Sequence, residues 1–309
     1  MAKNFIKTES SLVELINQNN FFIYKGVKFR KLICGKPRPK SSGECKTDIY
    51  VLGENCSSNE RVEFKISVKQ INAEFLENKI KLSRAIEILG KDAQEIICKS
   101  ILPIQNDFIN DNLIYFTDKK NDKVGNIKIG WKFELLNKIS PLRSGTIILS
   151  DSQALDVYAG TNLESCKKNS IVGGSEIENS GIANFILNID HTKIEEINDY
   201  FNMLIPVEEF SKLKPIYFSC KAINYRFNMD TKNKKKKKKW DGNRPLSVFV
   251  NWELEEGKLL GKIIFENPLS THADLIGMKI KMLLEKLNIQ NENFEKLKDH
   301  LHKEINYYI

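Results

Sequence analysis

The chain has 309 residues, of which 41% are hydrophobic and 28% charged, a composition typical of a globular protein long enough to bury a full core. No stretch approaches the roughly 20 consecutive apolar residues that cross a bilayer, so the sequence predicts no membrane-spanning helix. The opening segment, MAKNFIKTESSLVEL, has no apolar block followed by a small-residue cleavage site, so we expect no secretion signal.

Several chemistries are disfavoured by the absence of their motifs. Six cysteines are scattered along the chain without a C-x-x-C pair, which argues against a zinc ribbon and favours reduced thiols in a cytoplasmic protein. The four histidines form no H-E-x-x-H motif, and neither G-x-x-x-x-G-K-[ST] nor G-x-S-x-G occurs. A histidine-bound zinc hydrolase, a nucleotide-driven motor and a serine hydrolase are therefore not expected.

The net charge of +8 is concentrated in one segment. Lys232 and the run Lys234–Lys239 carry seven positive charges, and 8 − 7 leaves +1 for the rest of the chain. Such a run is typical of a solvated loop, yet the same loop can bind phosphates and release their counterions. The charge is thus compatible with nucleic-acid binding without identifying it.

The first third of the chain predicts a helix, several strands and a loop in a definite order. Pro, Gly, Ser and basic residues over 35–44 indicate a loop by their turn chemistry. The remaining elements are a helix over SSLVELINQ, strand-like alternation in FFIYKGVKF, strands at DIYVL and RVEFKISVK, and a helix over INAEFLENKIKLSRAIEIL.

The rest of the chain mixes strand and helix signals without strict βαβ order. Strand-like pieces are NLIYF, NIKIGWKFELL, SGTIILS, PIYFSCKAINYRFNM and RPLSVFVNWELEEGKLLGKIIFE, with a hairpin expected at Glu255–Gly257; helical pieces are KIEEINDYFNML and HADLIGMKIKMLLEKLNI. This interleaving predicts an α/β (α+β) fold with a mixed central β-sheet flanked by helices. We expect a single domain over 1–309, with a catalytic core over about 10–100 and elaborations over about 120–260.

The segment RVEFKISVK, residues 61–69, places apolar and polar side chains on opposite faces of a strand. Side chains alternate along a strand, so Val62, Phe64, Ile66 and Val68 point to a core while Glu63, Lys65, Ser67 and Lys69 form a polar line on the other face. Exposed strand faces often carry Glu and Lys, so an ordinary solvated face is an alternative interpretation of this pattern.

Asp48 supplies a second carboxylate to this face if DIYVL and VEFKI form a hairpin. With the turn centred between Asn55 and Cys56, residues whose numbers sum to 111 face each other, and Asp48 lies opposite Glu63 (48 + 63 = 111). Directly opposite residues have Cβ atoms about 5 Å apart, and two such carboxylates repel one another unless a cation lies between them. A divalent cation with oxygen ligands relieves that repulsion.

This arrangement suits phosphodiester hydrolysis. A metal held by Asp48 and Glu63 can activate water and stabilise charge on the phosphate, while Lys65, about 7 Å along the strand, can offset negative charge in the transition state. Ser67 and Lys69 are candidates to support substrate phosphates. The sequence therefore predicts Asp48, Glu63 and Lys65 as catalytic residues.

The segments GKPRPKSSGECKTDIYV and EFKISVKQINAEFLENK resemble the catalytic region of type II restriction endonucleases of the PD-(D/E)XK superfamily. The resemblance covers about residues 30–80, and Thr47 stands where the family name has proline. It implies a restriction-endonuclease-like fold, Mg²⁺ as cofactor, sequence-specific cleavage of double-stranded DNA, and a homodimer. It also implies a third metal ligand from the first helix, for which Glu14 is the candidate.

Basic residues outside this centre are candidates for DNA contacts. Arginine reads guanine edges through two hydrogen bonds, whereas lysine more often meets phosphate. Trp240, beside the lysine run, can stack on a base or anchor its loop in the core, and we favour the anchor. The expected DNA-binding residues are Arg38, Lys40, Lys69, Arg226, Lys236, Lys238 and Arg244.

Two alternatives remain open at this point. A nuclease of the same fold that repairs DNA or cuts junctions keeps the carboxylates and the lysine but shows little sequence dependence. A non-catalytic nucleic-acid-binding protein depends on the basic loop and tolerates loss of Asp48.

Overall fold

The computed structural model describes residues 2–41, 43–70, 74–78, 80–116, 125–189, 196–227, 239–240 and 242–308, and only the backbone of residues 2–7. The helices of this part are α1 (Ala2–Gln18), α2 (Leu82–Leu89), α3 (Ala93–Ile101), α4 (Gln105–Ile109), α5 (Asp151–Ala159), α6 (Ser165–Lys168), α7 (Ile197–Asn202), α8 (Val207–Leu213) and α9 (Ala273–Lys286). Short 3₁₀ helices span Leu102–Ile104 and Phe294–His300.

The strands are β1 (Phe21–Tyr24), β2 (Val27–Gly35), β3 (Ile49–Asn55), β4 (Arg61–Gln70), β5 (Phe75–Glu77), β6 (Ile114–Tyr115), β7 (Asn126–Leu136), β8 (Ser144–Thr146), β9 (Ser170–Val172), β10 (Ser175–Ile177), β11 (Phe185–Ile189), β12 (Leu204–Pro206), β13 (Tyr217–Arg226), β14 (Pro245–Leu246), β15 (Val248–Glu255), β16 (Lys258–Ile264), β17 (Thr271–His272) and β18 (Tyr307–Tyr308). Helices and strands thus alternate irregularly along the chain, and the predicted mixed α/β fold is confirmed.

The chain divides into two compact units, each assembled from three separate segments. Unit 1 comprises Met1–Glu74, Ile86–Lys91 and Leu149–Pro215, and unit 2 comprises Phe75–Ala85, Asp92–Ile148 and Ile216–Ile309. A single nuclease domain with its core over about 10–100 stays a prediction. Unit 1, which contains Asp48, also includes Leu149–Pro215, which lie far beyond position 100.

Unit 1 is built on a six-stranded sheet in the order β1-β2-β3-β4-β11-β12. Its neighbouring strands are antiparallel except β4 and β11, which run parallel. A parallel pair needs a long crossover connection, and here the chain passes through unit 2 before it returns as β11. The sheet of unit 1 is therefore mixed, but the sequence predicts one central sheet, whereas the described residues form a second large sheet in unit 2.

Both faces of this sheet are covered. On one face Phe64, Ile66 and Val68 of β4 pack with Leu12 and Ile16 of α1 in the main hydrophobic cluster. The opposite face contains buried Tyr50, Ser67 and Ile186, and α8 packs against α5 and contacts β11. The predicted division of β4 into two faces is confirmed, but the polar face is not a solvated one because Ser67 is fully buried.

Helices α2 and α5 illustrate where the structure differs from the sequence-based expectation. The helix expected over 71–89 begins only at Leu82, after a short strand at Phe75–Glu77 that belongs to unit 2. Helix α5 was not predicted, although Ser150 and Gln153 form a capping box at its start and Gly160 ends it with φ 78°. That S-x-x-Q pattern followed by glycine is a recognisable helix signal.

Unit 2 is built on an eight-stranded sheet whose main path is β16-β15-β7-β13-β8. Strand β7 lies at its centre and pairs with β13 over nearly its whole length. Gly130 of β7 has φ 157°, and an added Cβ would lie 2.5 Å from the Val248 carbonyl oxygen, so the close approach of β15 requires glycine there. Helix α9 packs against β15, β7 and β13.

The C-terminal predictions for unit 2 are confirmed. The hairpin between β15 and β16 turns at Glu256 and Gly257, with φ of 50° and 77°, as a two-residue turn with left-handed residues requires. The predicted C-terminal helix forms as α9, and a short 3₁₀ helix follows it. In the part of the chain that the structure describes, no helix is both long and apolar enough to span a membrane.

Candidate active site

Asp48 lies at the start of β3, but its partner on β4 differs from the predicted one. Pairs such as Ile49 with Ile66 and Leu52 with Glu63 sum to 115, so Asp48 falls beside Ser67 and the predicted pairing of Asp48 with Glu63 is wrong. The sum is four greater than predicted. Because four is even, Glu63 keeps the face of Asp48 but lies about 13 Å away along the strand.

The β3–β4 connection explains the shift. A tight turn between Asn55 and Cys56 was expected, whereas the loop contains five residues, from Cys56 to Glu60. The Asn55 side chain accepts hydrogen bonds from the backbone N–H groups of Ser57 and Ser58, and Asn59 adopts φ 58°. Asparagine stabilises such turns by bonding to backbone a few residues ahead and by tolerating left-handed φ. The loop centre therefore moves two residues towards the C-terminus.

The Asp48 carboxylate is fixed against β4. Its Oδ2 accepts a hydrogen bond of 2.8 Å from the backbone N–H of Val68 and one of 3.3 Å from the Ser67 hydroxyl. The Asp48 backbone N–H donates to the Ile66 carbonyl at 2.8 Å. The described hydrogen bonds to the carboxylate all use Oδ2, which leaves Oδ1 for another ligand.

Burial raises the pKa of Asp48 to about 6, against the opposing effect of the nearby Lys69 charge. The negative charge of Glu9 raises it further, while the Val68 N–H and the Lys36 ammonium lower it. An ionised Asp48 therefore carries a solvation penalty that neighbouring cations only partly relieve. A carboxylate whose charge is poorly compensated in this way is a common feature of functional sites.

Glu9, on α1, is the second carboxylate of this centre. It is buried, its charge acts on Asp48, and it pairs with the Lys36 ammonium. Burial acts to lower the pKa of Lys36, but its hydrogen bond to Glu9 and the charges of Glu9 and Asp48 raise it overall. Glu14, the predicted ligand from this helix, is exposed to solvent.

Helical geometry explains why Glu9 rather than Glu14 belongs to the centre. Glu9 precedes the buried Leu12 and Ile16 by three and seven residues, so all three side chains share one face of α1. Glu14 lies five residues beyond Glu9, on another face. An acidic residue on an apolar stripe was the sequence signal for this position.

Lys69 is the cation of β4 that interacts most strongly with Asp48. It is half-buried, and it lies two residues beyond Ser67 on the same strand face. Ser67 lies opposite Asp48, and Lys69 follows Ser67 by two residues. The sequence predicted the same spacing, with Glu63 opposite Asp48 and Lys65 two residues later. The structure brings together Asp48, Glu9, Lys36, Ser67 and Lys69.

Glu63 and Lys65 form a separate polar cluster further along the same face. The Lys65 ammonium lies 3.5 Å from the Glu63 carboxylate, which also accepts a hydrogen bond of 2.6 Å from the Tyr50 hydroxyl. The Asn184 side chain binds this part of β4, because its oxygen accepts from the Lys65 N–H and its amide donates to the Glu63 carbonyl. Glu63 and Lys65 therefore both have partners within the sheet of unit 1 and its adjoining loop.

Two carboxylates, those of Asp48 and Glu9, interact in this centre. Among the residues that the structure describes, no group of three or more His, Cys, Asp or Glu side chains could hold a metal. Mg²⁺ commonly uses only one or two carboxylates, with water and substrate phosphate as further ligands, and Asp48 and Glu9 meet that requirement. In the structure the Glu9 carboxylate is paired with the Lys36 ammonium.

The predicted DNA-binding residues fall in both units. In unit 1, Arg38 and Lys40 are exposed and Lys69 is beside Asp48; in unit 2, Arg226 and Arg244 are half-buried at the ends of strands. Lys236 and Lys238 lie outside the described residues. Their roles in DNA binding stay predictions.

Trp240 anchors its segment, as we favoured from the sequence. Its indole N–H donates to the Asp274 carboxylate at 2.6 Å, and its ring stacks on Tyr225 at 5.7 Å. A Cβ on Gly277 of α9 would lie 2.9 Å from this ring, so the glycine permits the contact.

Comparison with protein-family models, with curated proteins and with solved structures yields no significant match to this chain.

Proposed function

We propose that this protein is a Mg²⁺-dependent endonuclease that hydrolyses phosphodiester bonds of double-stranded DNA, with its centre at Asp48, Glu9 and Lys69. The observation that carries the proposal is the position of Asp48. Its carboxylate is held at the start of a sheet strand with a raised pKa, a second carboxylate acts on it, and a lysine lies on the adjacent strand. A restriction-endonuclease-like arrangement of the mixed sheet is part of the proposal.

Each residue has a definite task in this proposal. Asp48 Oδ1 and the Glu9 carboxylate would hold the divalent cation, and the Val68 N–H and Ser67 hydroxyl keep Asp48 oriented. When bound, the cation supplies Lewis-acid stabilisation of the charge that develops on the phosphate. The Lys69 ammonium would add positive charge beside the same phosphate and orient the attacking water.

The remaining parts of the proposal follow from the resemblance to restriction enzymes. They are cleavage at a short recognition sequence and a two-fold dimer, because a palindromic site is matched by a two-fold protein. A cytoplasmic location agrees with the six cysteines, all of which are free thiols in the structure.

The decisive experiment incubates unmethylated phage DNA with the wild-type protein, Lys69→Ala or Lys65→Ala, with and without Mg²⁺. We expect wild type and Lys65→Ala to cut only with Mg²⁺, and Lys69→Ala to be slower by about 10²–10³-fold, since it removes a charge that acts on the transition state. Lys65 lies on the same strand face and is the matched control.

The outcomes separate the proposal from its alternatives. Discrete fragments support a sequence-specific enzyme, whereas a smear supports a repair or junction nuclease of the same fold. Loss of cleavage in Lys65→Ala together with full activity in Lys69→Ala would move the centre to the Glu63 cluster. Intact DNA that all three proteins retard equally on a gel would refute catalysis and leave a binding protein.

A further inference from the structure

The segment Lys36–Lys40 forms a basic ridge that begins at the proposed active centre. Its sequence is KPRPK, in which Lys36, Arg38 and Lys40 are exposed while Pro37 is buried and Pro39 is half-buried. Three exposed basic side chains therefore occur within five residues of one another. Proline fixes its own φ and restricts the preceding residue, which reduces the flexibility of this ridge.

Hydrogen bonds hold the ridge in place within unit 1. The Arg38 N–H donates to the Ile171 carbonyl and the Ile171 N–H donates to the Arg38 carbonyl, both at 2.9 Å, so Arg38 pairs with the edge of the β9–β10 hairpin. The Lys40 N–H donates to the Cys166 carbonyl at 3.1 Å. The backbone of Arg38 is therefore held by two hydrogen bonds to Ile171.

The three cations of the ridge differ in their partners. Lys36 pairs with Glu9 of the active centre, and Lys40 pairs with Glu176 of β10 at 2.5 Å. Within the part of the chain that the structure describes, Arg38 makes no ion pair, and its side chain is exposed. It is thus the cation of the ridge that remains available to an external anion.

Arg38 lies close along the chain to the proposed active centre. Arg38 is two residues from Lys36, about 7 Å in an extended chain, and Lys36 contacts Glu9, whose charge acts on Asp48. A phosphodiester bound at Asp48 is one of a continuous row of phosphates along its strand. The guanidinium fork binds two oxygens of one phosphate, which a lysine cannot do.

We propose that Arg38 binds a backbone phosphate next to the one that is cleaved and so aligns the DNA strand with the active centre. This inference rests on the proposed function. It makes Arg38 a positioning residue that contacts the substrate away from the reacting atoms. It assigns no reading of bases to Arg38.

The test compares Arg38→Gln with Arg30→Gln, which removes the same charge from an exposed arginine of β2. Arg30 is paired with Glu54 and is about 20 Å from Lys36 along the chain. Binding to several 20-base-pair duplexes of unrelated sequence is measured in EDTA over a range of salt concentrations. We expect Arg38→Gln to bind all of them about tenfold more weakly, with a salt slope smaller by about one, and Arg30→Gln to match wild type.

Cleavage assays then separate this inference from the proposed function. If wild type cuts DNA and Arg38→Gln binds and cuts as wild type does, the inference alone is overturned. If wild type binds without cutting while Arg38→Gln binds about tenfold more weakly, the phosphate contact stands and the nuclease proposal falls. Weakening confined to one duplex sequence would show base reading instead, and absence of DNA binding by wild type would overturn both.

Discussion

Units 1 and 2 both bury carboxylates beside a central sheet, but they compensate the charges differently. In unit 2 the Asp111 carboxylate accepts from the Lys128 ammonium at 2.6 Å and from the Arg143 guanidinium at 2.9 Å, and all three side chains are largely buried. In unit 1 Asp48 is bonded to a backbone N–H and a hydroxyl, and burial, with a smaller contribution from the Glu9 charge, raises its pKa. The Asp111 charge is thus balanced by two cations, whereas the Asp48 charge is only partly compensated.

The physical reason lies in what each aspartate does for its neighbours. Asp111 balances two buried cations, and burial lowers the pKa of Lys128 despite that ion pair. Removing Asp111 would leave those cations without a counter-charge. For Asp48, burial penalises its own charged form. Neutralising Asp48 therefore stabilises the folded state. The same chemical change should thus have opposite effects on stability in the two units.

The largest expected effect is that of Asp111→Asn. It removes the counter-charge of Lys128 and Arg143, and breaking a buried ion pair by removing one partner costs about 3–5 kcal/mol. Urea unfolding followed by tryptophan fluorescence measures this loss, because Trp131, Trp240 and Trp252 all belong to unit 2.

Asp107→Asn is the control for that measurement, since Asp107 is an exposed aspartate of the same unit. Its unfolding midpoint should match that of wild type. An unchanged midpoint in Asp111→Asn as well would show that the ion-pair network contributes nothing to unit 2.

Asp48→Asn should instead stabilise unit 1 at pH 7.5, by on the order of 1–3 kcal/mol. The folded pKa of about 6 lies above the ordinary value of 3.8, so the folded state keeps its proton where the unfolded state has lost it. The resulting stability is fully present below about pH 4 and is lost as the pH rises through about 6. Asparagine, which can still accept from the Val68 N–H, does not titrate.

Hydrogen exchange of the β3 and β4 amides across pH 4–8 measures this effect. Wild type should lose protection as the pH rises through about 6 after correction for intrinsic exchange, and Asp48→Asn should not. Addition of Mg²⁺ at pH 7.5 should restore protection in wild type alone. A variant that is less protected than wild type at pH 7.5 would contradict the charge penalty at Asp48.

The smallest expected effect is that of Glu9→Gln, with Glu14→Gln as its matched control on the same helix. Loss of the Glu9 charge removes a repulsion from Asp48 and should lower the pKa of Asp48. It also removes a proposed ligand, so Mg²⁺ should bind about tenfold more weakly, a loss of about 1.4 kcal/mol.

Calorimetric titration with Mg²⁺ and the pH dependence of hydrogen exchange measure the two effects of Glu9→Gln. Glu14→Gln should leave both unchanged, because Glu14 is exposed. Equal effects of the two substitutions would place Glu9 outside the centre.

Local sequence patterns predicted the elements of the fold better than their pairing. Alternation of apolar and polar residues located β4 and its two faces, and turn-forming residues located the β15–β16 hairpin. Both patterns depend only on residues that are close together in the sequence. The register of Asp48 depended on the loop after Asn55, where two side-chain hydrogen bonds move the centre by two residues. A small change in loop geometry thus replaced Glu63 by Ser67 as the partner of Asp48.

In the candidate site, too, contacts between residues distant in the sequence were harder to predict than local elements. The sequence predicted Asp48 as a catalytic residue and Lys69 as a DNA contact, and in the structure the Lys69 charge acts on Asp48. Glu9 was overlooked because it lies on the apolar stripe of α1 and reaches Asp48 only through packing. Lys36 contacts Glu9, 27 positions away (36 − 9), and Arg38 pairs with Ile171, 133 positions away (171 − 38). Patterns of neighbouring residues do not predict contacts over such distances in the sequence.

The parallel pairing of β4 with β11 has a consequence for synthesis on the ribosome. Ile66 is paired with Phe185, 119 residues later in the chain (185 − 66). The edge of β4 that pairs with β11 therefore stays unpaired while those 119 residues are translated. At about 5–20 residues per second this takes roughly 6–24 seconds. An unpaired strand edge is a template for association with other chains, and β4 is apolar on one face. The nascent chain therefore passes through a period in which chaperones that bind exposed strands would protect it from aggregation.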